Sequence, residues 1–127
     1  MPEAPYDSLG GDAAVRRLVE RFYDLMDSVP EYYVIRKLHP ADLAGSREKL
    51  YMFLSGWLGG PPLYAEKYGH PMLRARHLPF AIGLAERDAW LACMKQAMQD
   101  CAIEAGMRMG LLDSLFKTAD WMRNKEG

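Results

Sequence analysis

From residue 12 to residue 27 the apolar positions Val15, Leu18, Val19, Phe22, Leu25 and Met26 recur every three or four residues, with polar side chains between them. That 3.6-residue period predicts an amphipathic helix, with Asp12 placed as its N-cap directly after Gly10-Gly11. Beyond Pro30, the stretch Glu31 to Leu38 predicts a short helix. His39 precedes Pro40, whose ring disfavours helical backbone in the residue before it, so a corner is expected there. The next helix starts between Ala44 and Ser46, carries Leu50, Phe53, Leu54, Trp57 and Leu58, and stops at Gly59-Gly60-Pro61-Pro62. Residues 59–71, with Gly69 and Pro71 beyond that cluster and little periodicity, read as a long ordered loop or one irregular turn.

Met72 to His77 reads as a brief helix halted before Pro79, which sets Leu73 and His77 on one face at i, i+4. Trp90, Met94, Met98, Cys101 and Ala105 mark a long helix over Ala85–Ala105. Leu111, Leu112, Leu115, Phe116, Ala119 and Met122 mark the last one. Strand-like alternation, internal repeats and low-complexity runs are absent, so the expected class is all-α.

Composition narrows the function classes. At 127 residues the chain has the size of one domain, and half of its residues are apolar, enough to bury a core. Sixteen Lys and Arg stand against 17 Asp and Glu, so the chain lacks the basic field that captures phosphate backbones, and a nucleic-acid partner is not expected. The apolar stretch from Met52 is cut by Gly59-Gly60-Pro61-Pro62, which leaves no span of about 20 apolar residues for a membrane. The start Met1-Pro2-Glu3-Ala4-Pro5 has neither a basic head nor an apolar run, so a cytoplasmic location is the expectation. Cys93 and Cys101 lie eight residues apart in a helical pattern, about 12 Å of rise, too far for a disulfide within one intact helix. They read as small apolar residues of a reduced core.

Most catalytic signatures are missing. Gly59-Gly60 is followed by two prolines that lack N–H groups for an anion, and no serine sits in a nucleophile elbow. The three histidines, His39, His70 and His77, match no zinc spacing. His77 sits in a short helix flanked by Arg74, Arg76, Leu78 and Phe80. A lone helical histidine is more often a surface or hydrogen-bonded residue than a ligand. Tyr23 and Trp90, by the same weighing, read as an edge-of-core phenol and a core anchor.

Several strings, however, occur together and in order: Tyr6-Asp7 with Gly10-Gly11; Arg21-Phe22-Tyr23; Leu43-Ala44-Gly45; Met52-Phe53-Leu54 with Trp57 and Gly59-Gly60-Pro61; Gly69-His70-Pro71; Arg76-His77 with Pro79-Phe80; and Glu86-Arg87-Asp88-Ala89-Trp90-Leu91 with Cys93-Met94. Together, from about Tyr6 to Met122, they resemble the truncated haemoglobins of the second group. The resemblance implies a single globin domain over 1–127 with its core at about 6–123, built as a two-over-two helical sandwich around one haem b. It implies that His77 is the proximal ligand of a pentacoordinate iron whose opposite face takes O2. Tyr23 and Trp90 match the distal tyrosine and tryptophan, whose O–H and N–H stabilise the negative charge of a polarised ligand in a dry pocket.

By the same resemblance, Leu50, Phe53 and Leu54 line the distal side, Lys49 and Arg76 meet the propionates, and Phe80 and His39 belong to the cofactor site. Ser46 takes the distal-helix position where this group usually has a small residue and opens a lateral route. His39 stands where the group more often has phenylalanine or tyrosine. It is expected to hydrogen-bond the Tyr23 hydroxyl. His70 matches a loop position with a structural or surface role. The function implied is reversible binding of O2 and other diatomic ligands, with oxygen transport among the roles. The alternative is a haem enzyme, peroxidase-like or detoxifying nitric oxide or reactive oxygen, which would turn over peroxide or NO with electrons from an external reductase. CO is a further ligand on either reading.

Overall fold

A computed structural model describes residues 4–70 and 72–125; Met1 to Glu3, at the start expected not to be a signal, and Pro71 of the predicted loop lie outside them. Among the described residues the secondary structure is entirely helical. Helix α1 spans Pro5–Leu9, α2 Asp12–Ser28, α3 Tyr33–Arg36 after a 3-10 turn over Pro30–Tyr32, α4 Ala44–Trp57, α5 Leu63–Tyr68, α6 Leu73–His77, α7 Leu84–Asp100 and α8 Ala105–Trp121. Helix α2 packs on both α4 and α7, and α7 packs on α8, so one pair of long helices lies over the other. No helix of the described residues is long and apolar enough to cross a membrane.

The periodic face of α2 forms the centre of the core: Val15, Leu18, Val19, Phe22, Leu25 and Met26 are all buried. Facing them from α7 are Cys93, Met94, Ala97 and Met98, and from α4 Tyr51, Met52 and Leu54. Phe22 is wholly enclosed, and its loss to alanine is expected to cost about 3–5 kcal/mol through lost transfer energy and an unfilled cavity.

Asp12 is the first helical residue of α2 rather than its cap; Gly11, at φ 76°, takes the cap position. The backbone must turn through a left-handed conformation here, which glycine adopts without Cβ strain. The Asp12 carboxylate instead accepts the hydroxyl of Tyr51 from α4. At the far end of α4, a Cβ on Gly60 would lie 2.4 Å from the Tyr6 ring. Tyr6 also donates its N–H to the Leu58 carbonyl at 2.9 Å, and its own carbonyl accepts from Gly11. The two glycine pairs therefore serve one junction, where α1 docks against the end of α4.

Two further expectations are corrected. The loop predicted over 59–71 contains helix α5, in which Tyr64 is buried and stacks on Tyr68 one turn later, ring centroids 4.9 Å apart. A single turn that buries one ring is too short to show a period. The long helix predicted over Ala85–Ala105 ends at Asp100. Ala102 adopts φ 57°, and Glu104 opens α8 by accepting the N–H groups of Gly106 and Met107, each at 2.9 Å. No glycine or proline marks that break, so a capping side chain has to make it.

Candidate functional site

His77 is the last residue of α6 and half-buried. Its Nδ1 lies 2.6 Å from the Leu73 carbonyl, one turn back on the face that the i, i+4 spacing creates. A carbonyl only accepts, so Nδ1 carries the proton and Nε2 presents its lone pair outward. That is the tautomer of a histidine that ligates a metal, with the other ring nitrogen anchored on a carbonyl.

The other predicted donors are joined through one ring. Phe22 packs edge-on to Trp90 of α7 with centroids 5.2 Å apart, and against its neighbour Tyr23 at 5.0 Å. Tyr23 in turn meets the His39 ring edge-on at 5.8 Å. This run of rings crosses from α7 through α2 to the corner before α4. Phe22 reads from its periodicity as core alone; only the packing shows it holding Trp90 and Tyr23 at fixed places.

Tyr23 is 5% exposed, yet among the described residues its hydroxyl has no hydrogen-bond partner and is not sealed from solvent-sized space. Burial pushes its pKa far above the ordinary tyrosine value, and the Arg47 guanidinium, 5.8 Å from the ring centroid, opposes this only in part. The phenol therefore stays an O–H donor throughout the physiological range.

The expected bond from Tyr23 to His39 is not made. His39 Nδ1 lies 2.7 Å from the Ile35 carbonyl, and the ring meets Tyr23 through its edge. The reason is local: the corner backbone offers an acceptor one turn back, which fixes the imidazole before the phenol can compete. Burial lowers the His39 pKa, the Ile35 carbonyl opposes it, and the charge of Arg36 lowers it further. Arg36 holds the corner itself, with Nε on Asp27 at 2.8 Å and its two terminal nitrogens on the carbonyls of Pro40 and Ala41, each at 2.9 Å.

Leu50 and Phe53 on α4 are half-buried and keep surface to offer, whereas Leu54 on the same stripe is 2% exposed and enclosed in the core. Lys49 and Arg76 are exposed, the latter 5.9 Å from the ring of Tyr64. Ser46 is half-buried. His70 accepts the Met72 N–H at 3.1 Å, a local turn contact. After His77, Leu78, Phe80 and Leu84 stand exposed in close succession, an apolar run that a flat apolar cofactor would cover. An outward imidazole lone pair, an uncommitted phenol and uncovered apolar side chains on the segment after His77 together fit haem. Sequence reasoning did not reach Asn124, whose side chain binds the backbone just after His77: Nδ2 donates to the Phe80 carbonyl at 2.7 Å, and Oδ1 accepts from Ile82 at 3.0 Å. Nothing in its local sequence context signals this.

Residues 4–124 match the bacterial-like globin family. The chain is 44% identical over 122 residues to the group 2 truncated hemoglobin YjbI of Bacillus subtilis, covering 96% of this chain and 89% of that one. Among solved structures, the group II 2-on-2 hemoglobin of the plant pathogen Agrobacterium tumefaciens superposes with a TM-score of 0.94 at 48% identity, over 99% of this chain and 97% of that one. A truncated oxygen-avid haemoglobin from Bacillus subtilis superposes at 0.88 with 44% identity, over 96% of this chain and all of that one.

Proposed function

The chain belongs to the bacterial-like globin family and, within it, to the group II truncated haemoglobins, which hold haem and bind diatomic gases such as O2, and on that premise we propose that it is an O2-binding haemoglobin with His77 as the proximal ligand of a haem b. The haem, when bound, supplies the iron at which O2 is taken up reversibly. His77 offers Nε2 to that iron, and the Leu73 carbonyl fixes the rotation of its ring. Tyr23 donates its O–H, and Trp90 its indole N–H, to the negative end of a polarised ligand. Leu50 and Phe53 exclude water from that side, and Lys49 and Arg76 meet the propionates. The proposal extends to NO, CO and peroxide as further ligands, to a reductase outside this chain, and to a cytoplasmic setting.

One observation carries this reading: the Tyr23 side chain is held in a buried setting, protonated, and among the described residues its hydroxyl has no hydrogen-bond partner. The hydroxyl reaches solvent-sized space, so a ligand that accepts its proton gains a hydrogen bond without displacing a protein partner. The similarity to a protein described as oxygen-avid supports the same direction.

The test is the absorption spectrum of purified protein in ferric, dithionite-reduced and O2-equilibrated states, followed by stopped-flow O2 release from Tyr23→Phe and Trp90→Leu. A Soret band that moves between the three states is expected. Tyr23→Phe should release O2 about 10- to 100-fold faster, the equivalent of one hydrogen bond to a charged acceptor. Failure to take up supplied haem would overturn the haemoglobin reading, and unchanged release in both variants would overturn the distal roles.

A further inference from the structure

Helix α6, which carries His77, is five residues long and follows Met72 in a left-handed conformation at φ 48°. So short a helix cannot hold its own position, because few backbone bonds oppose the entropy of ordering it. The segment that leaves it is tied to the end of α8. Beyond α8, Asn124 reaches back so that Oδ1 accepts the Ile82 N–H at 3.0 Å and Nδ2 donates to the Phe80 carbonyl at 2.7 Å, pointing also at the His77 carbonyl 3.5 Å away. The backbone N–H groups of Asn124 and Lys125 both donate to the Ile82 carbonyl, at 2.9 and 3.1 Å. Among the described residues, Asn124 is the only side chain that hydrogen-bonds the backbone of residues 77–82. A primary amide suits this place because it presents one acceptor and one donor side by side, matched to an N–H and a carbonyl two residues apart.

We propose that Asn124 is a positioning residue for the proximal histidine: it locks the segment leaving α6 to the end of α8 and so sets the height and tilt at which His77 presents Nε2. The proposal rests on the reading of His77 as the haem ligand. Groups that orient a metal-ligating histidine typically alter metal affinity about 10- to 100-fold when removed, and the lock acts on the backbone that carries such a histidine.

The experiment uses haem-loaded protein. The iron–histidine stretching band of the reduced, ligand-free form is recorded by resonance Raman, and haem loss is timed by transfer to excess apomyoglobin. Asn124→Ala is expected to shift or broaden the band and to speed haem loss about tenfold. Asn124→Asp keeps the acceptor for Ile82 and removes the donor for Phe80, so it should show the same change; it also carries the test should the alanine variant not fold. Asp120→Asn is the control. It removes the carboxylate that pairs with Arg87 at 2.7 Å and Arg123 at 2.8 Å, loosening the nearby α7 to α8 contact without touching residues 77–82. It should lower the melting temperature and leave the band in place. A wild-type band and loss rate in both Asn124 variants would overturn the proposal, as would an equal shift in Asp120→Asn. Absence of the band from the unmutated protein would overturn the reading of His77 as the ligand of a pentacoordinate iron, a result visible before any Asn124 variant is made.

Discussion

The thiols of Cys93 and Cys101 are both free, and eight residues of chain separate two different chemistries. Cys93 is wholly enclosed on α7, donates through Sγ to the Phe22 carbonyl at 3.3 Å, and has its pKa pushed up to about 12 by burial. At pH 8 roughly one molecule in ten thousand holds it as thiolate, and no reagent reaches it. Cys101 ends the same helix half-buried, where burial raises its thiol but Arg17 and Arg21 pull it back. Native protein treated with iodoacetamide at pH 8 should therefore be alkylated at Cys101 first, and at Cys93 only after unfolding, as read by peptide mass spectrometry. Modification of Cys93 at the same rate would mean that α7 opens in the native state. The sequence presents both as core cysteines of one helix; the break at Asp100 is what separates them. At Tyr23 and His39 the division is similar. Residue type announces a donor and an imidazole, and only the Ile35 carbonyl settles which partner the imidazole takes.

Between elements, the α7 to α8 junction depends on one carboxylate. Glu104 caps α8 with two backbone bonds, and those bonds, Gly106 first and Met107 next, hold its pKa below the usual glutamate value. In the unfolded chain the group returns to its ordinary value, so the stabilisation is fully present above about pH 4.5 and is lost as pH falls through the lower folded value. Acid unfolding monitored by far-ultraviolet circular dichroism between pH 6 and pH 3 should show this limb. Glu104→Gln should flatten it while lowering stability at pH 7, because a neutral amide offers one acceptor oxygen and no charge to the helix end. An unaltered acid limb in that variant would assign the slope to other carboxylates, Asp120 foremost, which Arg87 and Arg123 also hold low.

For the molecule as a whole, the proposed haem would cover apolar surface that the protein leaves open. Leu78, Phe80 and Leu84 are 54, 41 and 38% exposed on one short segment, surface that gains nothing from packing until something apolar lies on it. A ligand bound only by the folded state stabilises it by mass action, about 2.7 kcal/mol at one hundred times its dissociation constant. With the usual unfolding entropy per residue, a chain of 127 residues should melt about 10 °C higher under those conditions. Calorimetry of the protein with and without haem measures this, and His77→Ala should lose most of the gain. An equal gain in that variant would mean that the porphyrin binds by apolar contact alone.

By itself the sequence determined the long helices, most plainly α2, where burial imposes a 3.6-residue period over many turns. It also determined the class and the absence of nucleotide and zinc signatures, and its ordered motifs pointed to the family in which His77, Tyr23 and Trp90 are proposed as haem-pocket residues. Tertiary structure decided what period and type cannot encode. Helix α5 forms because a single ring, Tyr64, finds a buried place, and α7 stops where Glu104 happens to reach two N–H groups. Leu54 lies in the core while Leu50 and Phe53 keep surface, although all three share one stripe. Asn124 meets Phe80 across 44 residues of chain, a partnership no local pattern contains. The physical reason is common to these cases: hydrophobic periodicity is a property of many residues on one element, whereas a hydrogen bond or a single ring contact joins two points whose separation exists only once the chain has folded.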